Sequence, residues 1–258
     1  MGPVVPQMSH GKRRACVLTL AQNEPVVLPL WWRYYRQHVP ERDLYCISHD
    51  CTDGSTDLFP QAQRWSVHND CYGDIRAIWQ WRTTARRELH ERYEYVILAD
   101  SDEFICQSAG LRTFIRAADD WAYAQTAYHV LHGDGEASYD PEVPVLRQRR
   151  RWVYDALYCC PHILRDYRDY RESYHLLEGE EQPFPRTDLL MVHLIKFDRG
   201  LAYAKRARLR EKPQTTYDAE ARNCWQDRLE GDEIEEWLRM DEERAEQIPE
   251  WVKEQVNV

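Results

Sequence analysis

YEYVILADSDEFICQ, residues 93–107, is the stretch from which the fold of this chain can be worked out. Residues 95–99 form an apolar run of strand-forming side chains, long enough for a buried strand and short for a helix. The carboxylates of Asp100, Asp102 and Glu103 follow directly. Carboxylates at the end of a buried strand repel one another and are costly to desolvate, so a positive charge is expected among them. A divalent cation is the simplest candidate, because carboxylate oxygens suit Mg²⁺ and Mn²⁺.

Short apolar runs and helical patterns also alternate on the N-terminal side of this stretch. Predicted strands cover residues 15–21, 43–48, 63–67 and 95–99, and predicted helices cover residues 25–38 and 73–92. Pro29 falls inside the first helix, which predicts a kink or a late start there. A strand–helix–strand order of this kind is typical of an α/β fold with a mostly parallel central sheet flanked by helices.

The C-terminal half predicts the domain organisation. Further helices are predicted over 111–124 and 200–212, and further strands around 128–131, 156–164 and 189–197. Residues 218–258 carry 14 acidic and 5 basic side chains, and so hold most of the net charge of −10. We therefore predict a leader over 1–13, one domain over 14–212, and an acidic helical extension over 213–258 that packs on the domain.

Composition excludes several classes of protein. The mean hydropathy is −0.75 and no apolar run approaches about 18 residues, so no membrane span is expected. No apolar signal core precedes the basic residues at the N-terminus, so we expect a cytoplasmic protein whose eight cysteines are reduced. Two sets of side chains could be imagined as zinc ligands: Cys46, His49 and Cys51, and Cys159, Cys160 and His162. Neither has paired Cys-x-x-Cys spacing, so no zinc site is predicted.

Polar side chains follow three of the predicted strands at their carboxyl ends. They are Asn23 and Glu24, Asp50 and Asp53, and Asp100 and Asp102. In an open parallel sheet, ligands bind beyond the carboxyl ends of the strands. Acidic side chains converging on one edge therefore predict an active site there.

Five segments together resemble the family 2-type glycosyltransferases of the GT-A fold, in the bacterial branch whose metal motif continues into Glu-Phe. They are LTLAQNE at 18–24, SHDCTDGSTD at 48–57, LADSDEF at 98–104, HGDGE at 132–136 and LLMVHLIKFD at 189–198. The resemblance covers roughly residues 14–212. It implies a nucleotide-sugar donor, with UDP as the first expectation, and inversion at the anomeric carbon. The expected acceptor is a hydroxyl of a glycan or of a lipid-linked saccharide.

The resemblance also implies roles for individual residues. Asp100 and Asp102 would hold Mn²⁺ or Mg²⁺ on the donor diphosphate, and His193 would approach the same metal; His175 has a similar claim. Asn23 and Glu24 would lie beside the nucleoside, and Asp50 would accept a hydrogen bond from the base, with Asp53 in the same turn. Lys196, or a basic residue of 205–212, could act as a point charge on the diphosphate.

The acceptor hydroxyl needs a general base, which is usually a carboxylate. Asp134 is the first choice, because it lies between two glycines in a predicted loop over the sheet edge. The rival candidates are Glu136, Glu180 and Glu181. Asp102→Asn is expected to abolish transfer with little change in melting temperature, because it removes a repelling acid.

Three alternatives stay open at this point. The basic segments at 147–151 and 205–212 would suit a glycosyltransferase that acts on a modified base in nucleic acid. A catalytically silent nucleotide-sugar-binding module would bind the donor without hydrolysis or transfer. A nucleotidyltransferase would also place paired acids at a sheet edge, but the chain lacks an early Gly-rich phosphate loop.

Overall fold

The computed structural model describes residues 11–69, 75–170, 177–179, 182–210, 229 and 232–258. The strands within these residues are β1 (Arg13–Ala21), β2 (Leu44–His49), β3 (Arg64–Val67), β4 (Tyr93–Leu98), β5 (Glu103–Gln107), β6 (Ala122–Leu131), β7 (Arg151–Tyr154), β8 (Ile163–Leu164), β9 (Pro185–Lys196) and β10 (Glu246–Gln247). The helices are α1 (Val27–Tyr35), α2 (Ile75–Arg92), α3 (Leu111–Ala117), α4 (Arg199–Arg210), α5 (Asp232–Arg239) and α6 (Glu250–Gln255). Among these helices, none combines the length and the apolar character needed to cross a membrane.

The first four strands form the parallel half of the sheet. β1 lies between β2 and β4 and is parallel to both, and β3 is parallel to β2. Ala21 pairs with Ser48, and Leu18 pairs with Leu98, so the carboxyl ends of β1, β2 and β4 lie at one edge. The predicted parallel arrangement is confirmed for these strands, because each is a short, locally encoded apolar run.

The second half of the sheet is mixed. β8 is antiparallel to both β4 and β6 and joins the two halves. β9 is parallel to β6 and antiparallel to β5. In this arrangement His193 of β9 lies opposite both Glu103 of β5 and His129 of β6. The sheet therefore brings β9 against the acidic turn that follows β4.

Helix α1 fixes the backbone of that acidic turn. Its buried aromatic side chains donate hydrogen bonds to main-chain carbonyls: Trp31 Nε1 to Ala99 (3.2 Å), Tyr34 Oη to Ile105 (2.7 Å) and Tyr35 Oη to Glu103 (3.1 Å). The late start predicted from Pro29 is confirmed, because α1 begins at Val27. Pro29 then lies in the first turn, where a backbone N–H has no partner inside the helix.

Two predicted elements are wrong at their boundaries. The helix predicted over 111–124 ends at Ala117, and β6 begins at Ala122. The hydroxyl of Tyr123 accepts the backbone N–H groups of Asp119 and Asp120, which holds the intervening turn. The strand predicted over 156–164 is also too long, since only Ile163–Leu164 pair in the sheet. Tertiary pairing overrides local propensity in both places.

The described part of the C-terminal region packs into the body. Ile234, Trp237 and Leu238 of α5 form a buried cluster with Ala202 of α4. β10 pairs with β7, and Val252 of α6 belongs to the main core. The boundary predicted at 212/213 lies next to residues outside the described part, as do residues 1–10 of the predicted leader, so both stay predictions; Arg13 already opens β1.

Candidate functional site

A cleft at the carboxyl edge of the parallel strands contains two acids from different strand ends. Glu24 follows β1 and Asp102 lies between β4 and β5. Leu194 of β9, Asp198, and Lys205 of α4 are among the other residues that line it. The cleft holds about 150 Å³, below the roughly 300–1,000 Å³ of pockets that enclose a drug-sized ligand. It therefore fits the charged end of a ligand rather than a whole nucleotide sugar.

Asp102 is buried between two positive groups. Its Oδ2 accepts a hydrogen bond from Lys205 Nζ at 3.3 Å, and its Oδ1 lies 3.5 Å from His193 Nε2. Burial alone would raise the pKa of Asp102, but Lys205 and His193 reverse that effect and lower the pKa well below its usual range. Burial likewise opposes the charge on His193, yet Asp102 raises the pKa of that imidazole overall. Asp102 is thus a carboxylate held ionised by its neighbours.

Asp100 lies in the same turn but has a different partner. Arg82 of α2 donates a hydrogen bond to its Oδ1, and 39% of the Asp100 side chain remains exposed. Asp100 is not among the described residues that line the cleft with Asp102. The structure therefore places both predicted metal-binding acids at one edge, each already paired with a cation.

Glu103 is a buried acid at this edge that was not predicted as a site residue. Its Oε2 accepts the backbone N–H of Asp100 at 2.8 Å and lies 3.7 Å from His162 Nδ1. Burial, reinforced by the charge of Asp100, raises the pKa of Glu103 to about 8. At neutral pH this side chain is therefore largely a neutral carboxylic acid.

We expect Glu103→Gln to remove a pH dependence of stability. A folded pKa of about 8 against an ordinary 4.5 means that only the folded protein keeps this proton between those values. Wild-type stability then falls with rising pH by about 1.4 kcal/mol per unit across that window, and glutamine does not titrate. Urea unfolding at pH 5 and pH 8 should show that the unfolding free energy of the variant increases relative to that of wild type as the pH rises. Glu88→Gln, at an exposed position on α2, is the control. If the unfolding free energies of Glu103→Gln and wild type differ by the same amount at pH 5 and pH 8, Glu103 is ionised throughout.

The loops after β1 and β2 are joined by Asn23. Its Oδ1 accepts the backbone N–H groups of Thr52 (2.8 Å) and Asp53 (3.3 Å). Asn23 has φ of 51° and Asp50 has φ of 47°, a left-handed conformation that is uncommon for residues other than glycine. Backbone strain of this kind clusters at ligand sites. The structure thus brings the predicted nucleoside-binding loops together in a defined geometry.

The acids of the second loop make local contacts. Asp53 Oδ1 accepts the N–H and the hydroxyl of Ser55, which caps the turn. Asp50 lies 2.7 Å from His68 Nδ1 and accepts the backbone N–H of Asn69. The side-chain hydrogen bond from His68 and the backbone N–H of Asn69 lower the pKa of Asp50, although burial opposes them. Asp50 and Asp102 therefore have separate sets of partners.

The predicted general bases lie beside the cleft and not among the described residues that line it. Asp134 is 66% exposed and accepts a hydrogen bond from Arg199 at 2.6 Å. Glu136 accepts the backbone N–H of Gly133 and lies 3.9 Å from Arg149. The rivals Glu180 and Glu181, and the alternative metal ligand His175, lie outside the described residues.

Lys196 is not directed to the cleft. Its Nζ donates hydrogen bonds to Asp241 Oδ2 (2.7 Å) and to the carbonyl of Trp237 (2.8 Å), and the residue is buried. Lys196 is engaged by Asp241 here, and its contact with a diphosphate stays a prediction. Lys196 instead attaches the C-terminal region to β9, because the partner that neutralises its buried charge comes from beyond α5.

A histidine pair extends from Asp102 to a further acid. The His193 and His129 rings lie 4.9 Å apart, and His129 Nε2 lies 2.9 Å from Asp155 Oδ2. Burial lowers the pKa of His129 to about 4 despite Asp155, so His129 is neutral at pH 7. Sequence reasoning missed Asp155, which directly follows β7. The rule of acids at the ends of parallel strands would not have found it, because β7 was not predicted and is antiparallel to β6.

The basic segment at 147–151 is largely neutralised within the protein. Arg147 pairs with Glu250, Arg151 Nη2 lies 3.9 Å from Glu242, and Arg149 is buried against Asp198. Arg206 of the second basic segment is also buried, with its guanidinium 4.0 Å above the Trp237 ring. Within the described residues of these two segments, these contacts leave fewer exposed positive charges for a nucleic-acid acceptor.

The donor atoms at this edge decide whether a divalent metal could bind there. Among the described residues, no group of three or more His, Cys, Asp and Glu side chains is arranged to hold a metal ion. Neither imagined zinc set is therefore supported. Mg²⁺ is commonly held by one or two carboxylates, with substrate phosphates as further ligands. Asp100 and Asp102 supply that chemistry, provided that the metal replaces their present cationic partners.

Comparison with known proteins leaves the functional argument to the site. No protein-family model matches the chain. No curated protein matches it either. Among solved structures, the chain is similar to the crystal structure of S. aureus TarS 1–349, at 11% sequence identity and a TM-score of 0.36. The match covers 75% of this chain and 63% of the TarS chain, less than two thirds of its length. Similarity at that level does not carry an inference about function.

Proposed function

We propose that this protein is a glycosyltransferase that moves a sugar from a nucleotide-sugar donor, UDP-linked in the first instance, to a hydroxyl of a glycan or lipid-linked saccharide. One observation carries the proposal. Glu24 and Asp102, which follow different parallel strands, meet with Lys205 in a single cleft at the carboxyl edge. That edge is where α/β sheets bind nucleotide ligands.

The chemistry requires control of negative charge. Departure of a nucleoside diphosphate leaves charge on phosphate oxygens, and positive groups that face those oxygens stabilise the transition state. Mn²⁺ or Mg²⁺ held by Asp100 and Asp102 would supply Lewis-acid stabilisation when bound. His193 keeps Asp102 oriented and ionised. Asn23, Glu24, Asp50 and Asp53 are proposed to contact the nucleoside through the two joined loops.

Inversion at the anomeric carbon requires a base on the face opposite the leaving group. Asp134 and Glu136 stay the proposed bases, and both lie in the loop between β6 and β7. Asp155 is a further candidate, because His129 and the backbone N–H of Leu157 hold its carboxylate in place. These contacts orient the Asp155 carboxylate, although the hydrogen bond from His129 also lowers its pKa and so weakens it as a base.

The proposal is tested by thermal shift with nucleotide sugars. We expect a UDP-sugar with Mn²⁺ at 100 times its Kd to raise the melting temperature by about 5–10 °C, since that concentration adds about 2.7 kcal/mol of stability. EDTA should reverse the shift, and Asp102→Asn should show none. If no nucleotide sugar shifts the melting temperature with or without Mn²⁺, the proposal is wrong.

A second measurement separates an enzyme from a silent binding module. The glycosyltransferase should release UDP from the bound donor slowly in water and faster with a suitable acceptor. Donor binding without any release of UDP would identify a binding module. Release of pyrophosphate from a nucleoside triphosphate would instead identify a nucleotidyltransferase.

A further inference from the structure

The ammonium group of Lys205 lies between two of the three carboxylates that line the cleft, those of Glu24 and Asp102. Its Nζ is 3.3 Å from Asp102 Oδ2 and 3.6 Å from Glu24 Oε1. Both acids are largely buried, with 9% and 12% of their side chains exposed. Two buried carboxylates from separate strand ends would repel each other, so the cation between them stabilises the fold of the ligand-free cleft.

Helix α4 holds Lys205 in this position. Asp198 Oδ1 accepts the backbone N–H of Leu201 and orders the start of the helix. Ala202 and Arg206, on either side of Lys205 along the helix, are buried against the C-terminal cluster. The backbone at Lys205 is therefore fixed, and the position of its charge depends on the side chain alone.

Arg82 and Lys205, the two cations at this edge, differ in how freely their side chains can move. Arg82, the partner of Asp100, has 9% of its side chain exposed, whereas 29% of the Lys205 side chain is exposed. A lysine ammonium is a compact charge on a flexible four-carbon stem, whereas a guanidinium is rigid and planar. Lys205 can consequently turn toward solvent without any movement of α4, and Arg82 cannot do so as readily.

We propose that Lys205 is a resident counter-cation that competes with the divalent metal for Asp102, so that metal binding requires the ammonium to leave. This inference rests on the metal-dependent site of the proposed function. A divalent cation on Asp102 and an ammonium 3.3 Å from the same carboxylate repel each other strongly in a partly buried cleft. Lys205 thereby weakens binding of the free metal, and the diphosphate of a donor gives the displaced ammonium a new partner.

The test measures binding of Mn²⁺ alone to the full chain, by electron paramagnetic resonance of the free ion. We expect Lys205→Gln to bind Mn²⁺ about tenfold more tightly than wild type, because removing one charge removes the competitor. Lys205→Arg, which keeps the charge, should bind Mn²⁺ no more tightly than wild type. Lys253→Gln on α6 removes a lysine charge away from the cleft and should leave the affinity unchanged.

Stability supplies an independent readout. Without metal, Lys205→Gln should melt below wild type, since Glu24 and Asp102 lose their shared cation, and saturating Mn²⁺ should restore more stability to the variant than to wild type. Lys205→Met serves the same purpose if the glutamine variant does not fold. Equal or weaker Mn²⁺ binding by the neutral variants would overturn the inference.

The outcomes also distinguish this inference from the proposed function. Tight Mn²⁺ binding by Lys205→Gln without binding of any nucleotide sugar would support the counter-cation and contradict glycosyl transfer. Binding of UDP-sugars, with no gain in Mn²⁺ affinity in the neutral variants, would support the proposed function and contradict the role of Lys205 as a counter-cation.

Discussion

Asp102→Asn should lower the rate of sugar transfer by about 10³-fold, since a charge-stabilising site contributes several kcal/mol and each 1.4 kcal/mol is a factor of ten. The same change should also destabilise the protein, which differs from the expectation based on sequence. In the structure Asp102 is not an unpaired acid, because it lies beside Lys205 and His193. Asparagine removes the negative charge that Lys205 and His193 share, and leaves Lys205 with Glu24.

The cost should be about 2 kcal/mol, below the roughly 3–5 kcal/mol of a fully buried pair, because Lys205 keeps contact with water. In a chain of this size, that lowers the melting temperature by about 4–8 °C. The folded pKa of Asp102 is lowered, so the stabilisation is complete above the unfolded value and is lost as the pH falls through the folded one. The stability difference between wild type and variant should therefore begin to shrink below about pH 4 and vanish only below the folded pKa.

The control is Asp57→Asn, which removes an exposed carboxylate paired with Arg64. It should change neither transfer nor melting temperature appreciably. If Asp102→Asn retained transfer near the wild-type rate, the cleft would not be the catalytic site. If it lost transfer at unchanged stability, the ion pairs around Asp102 would contribute no net stability.

Arg149→Met should produce the largest loss of stability, about 3–5 kcal/mol, or a fall of about 10 °C in melting temperature. Only 1% of the Arg149 side chain is exposed. It donates hydrogen bonds to Asp198 Oδ2 (3.2 Å) and to the carbonyls of Ala137 (3.1 Å) and Phe197. Methionine fills much of the same volume but leaves the buried Asp198 carboxylate without its cation.

Arg150→Met is the matched control, because Arg150 is the exposed neighbour in the same basic run. Chemical denaturation of both variants in parallel separates a buried charge network from a general effect of lost arginine. Comparable stability of the two variants would show that Asp198 tolerates burial without Arg149. Because Asp198 borders the cleft and precedes α4, the Arg149 variant should also bind donor more weakly at temperatures where it is folded.

The sequence was sufficient for the parallel half of the fold because its signals are local. Each of β1 to β4 is a short apolar run that ends in polar residues, and the rule that ligands bind at strand ends then located Glu24 and Asp102. The placement of His193 beside Asp102 also agrees with the edge predicted for it. Its role as a metal ligand stays a prediction.

Partners far apart in the chain were not predictable in the same way. Lys196 was predicted to act as a point charge on the diphosphate, whereas in the structure it pairs with Asp241, which lies 45 residues further on and which nothing local indicated. Lys205 and Asp102 are separated by 103 residues, so nothing local indicates their ion pair. The predicted boundary between α3 and β6 was wrong for a related reason, because the pairing of β6 with β8 and β9 overrides the helical pattern of the sequence.

The hydrogen bonds from α1 to the acidic turn have a consequence for engineering. Trp31, Tyr34 and Tyr35 hold main-chain carbonyl oxygens from residues 99 to 105 and make no use of the acidic side chains for this purpose. The path of the chain is therefore set in large part by aromatic donors behind it, and the Glu103 carboxyl adds one hydrogen bond from the backbone N–H of Asp100. New functional groups can be installed at the turn, for altered donor preference, without redesigning the element that carries them.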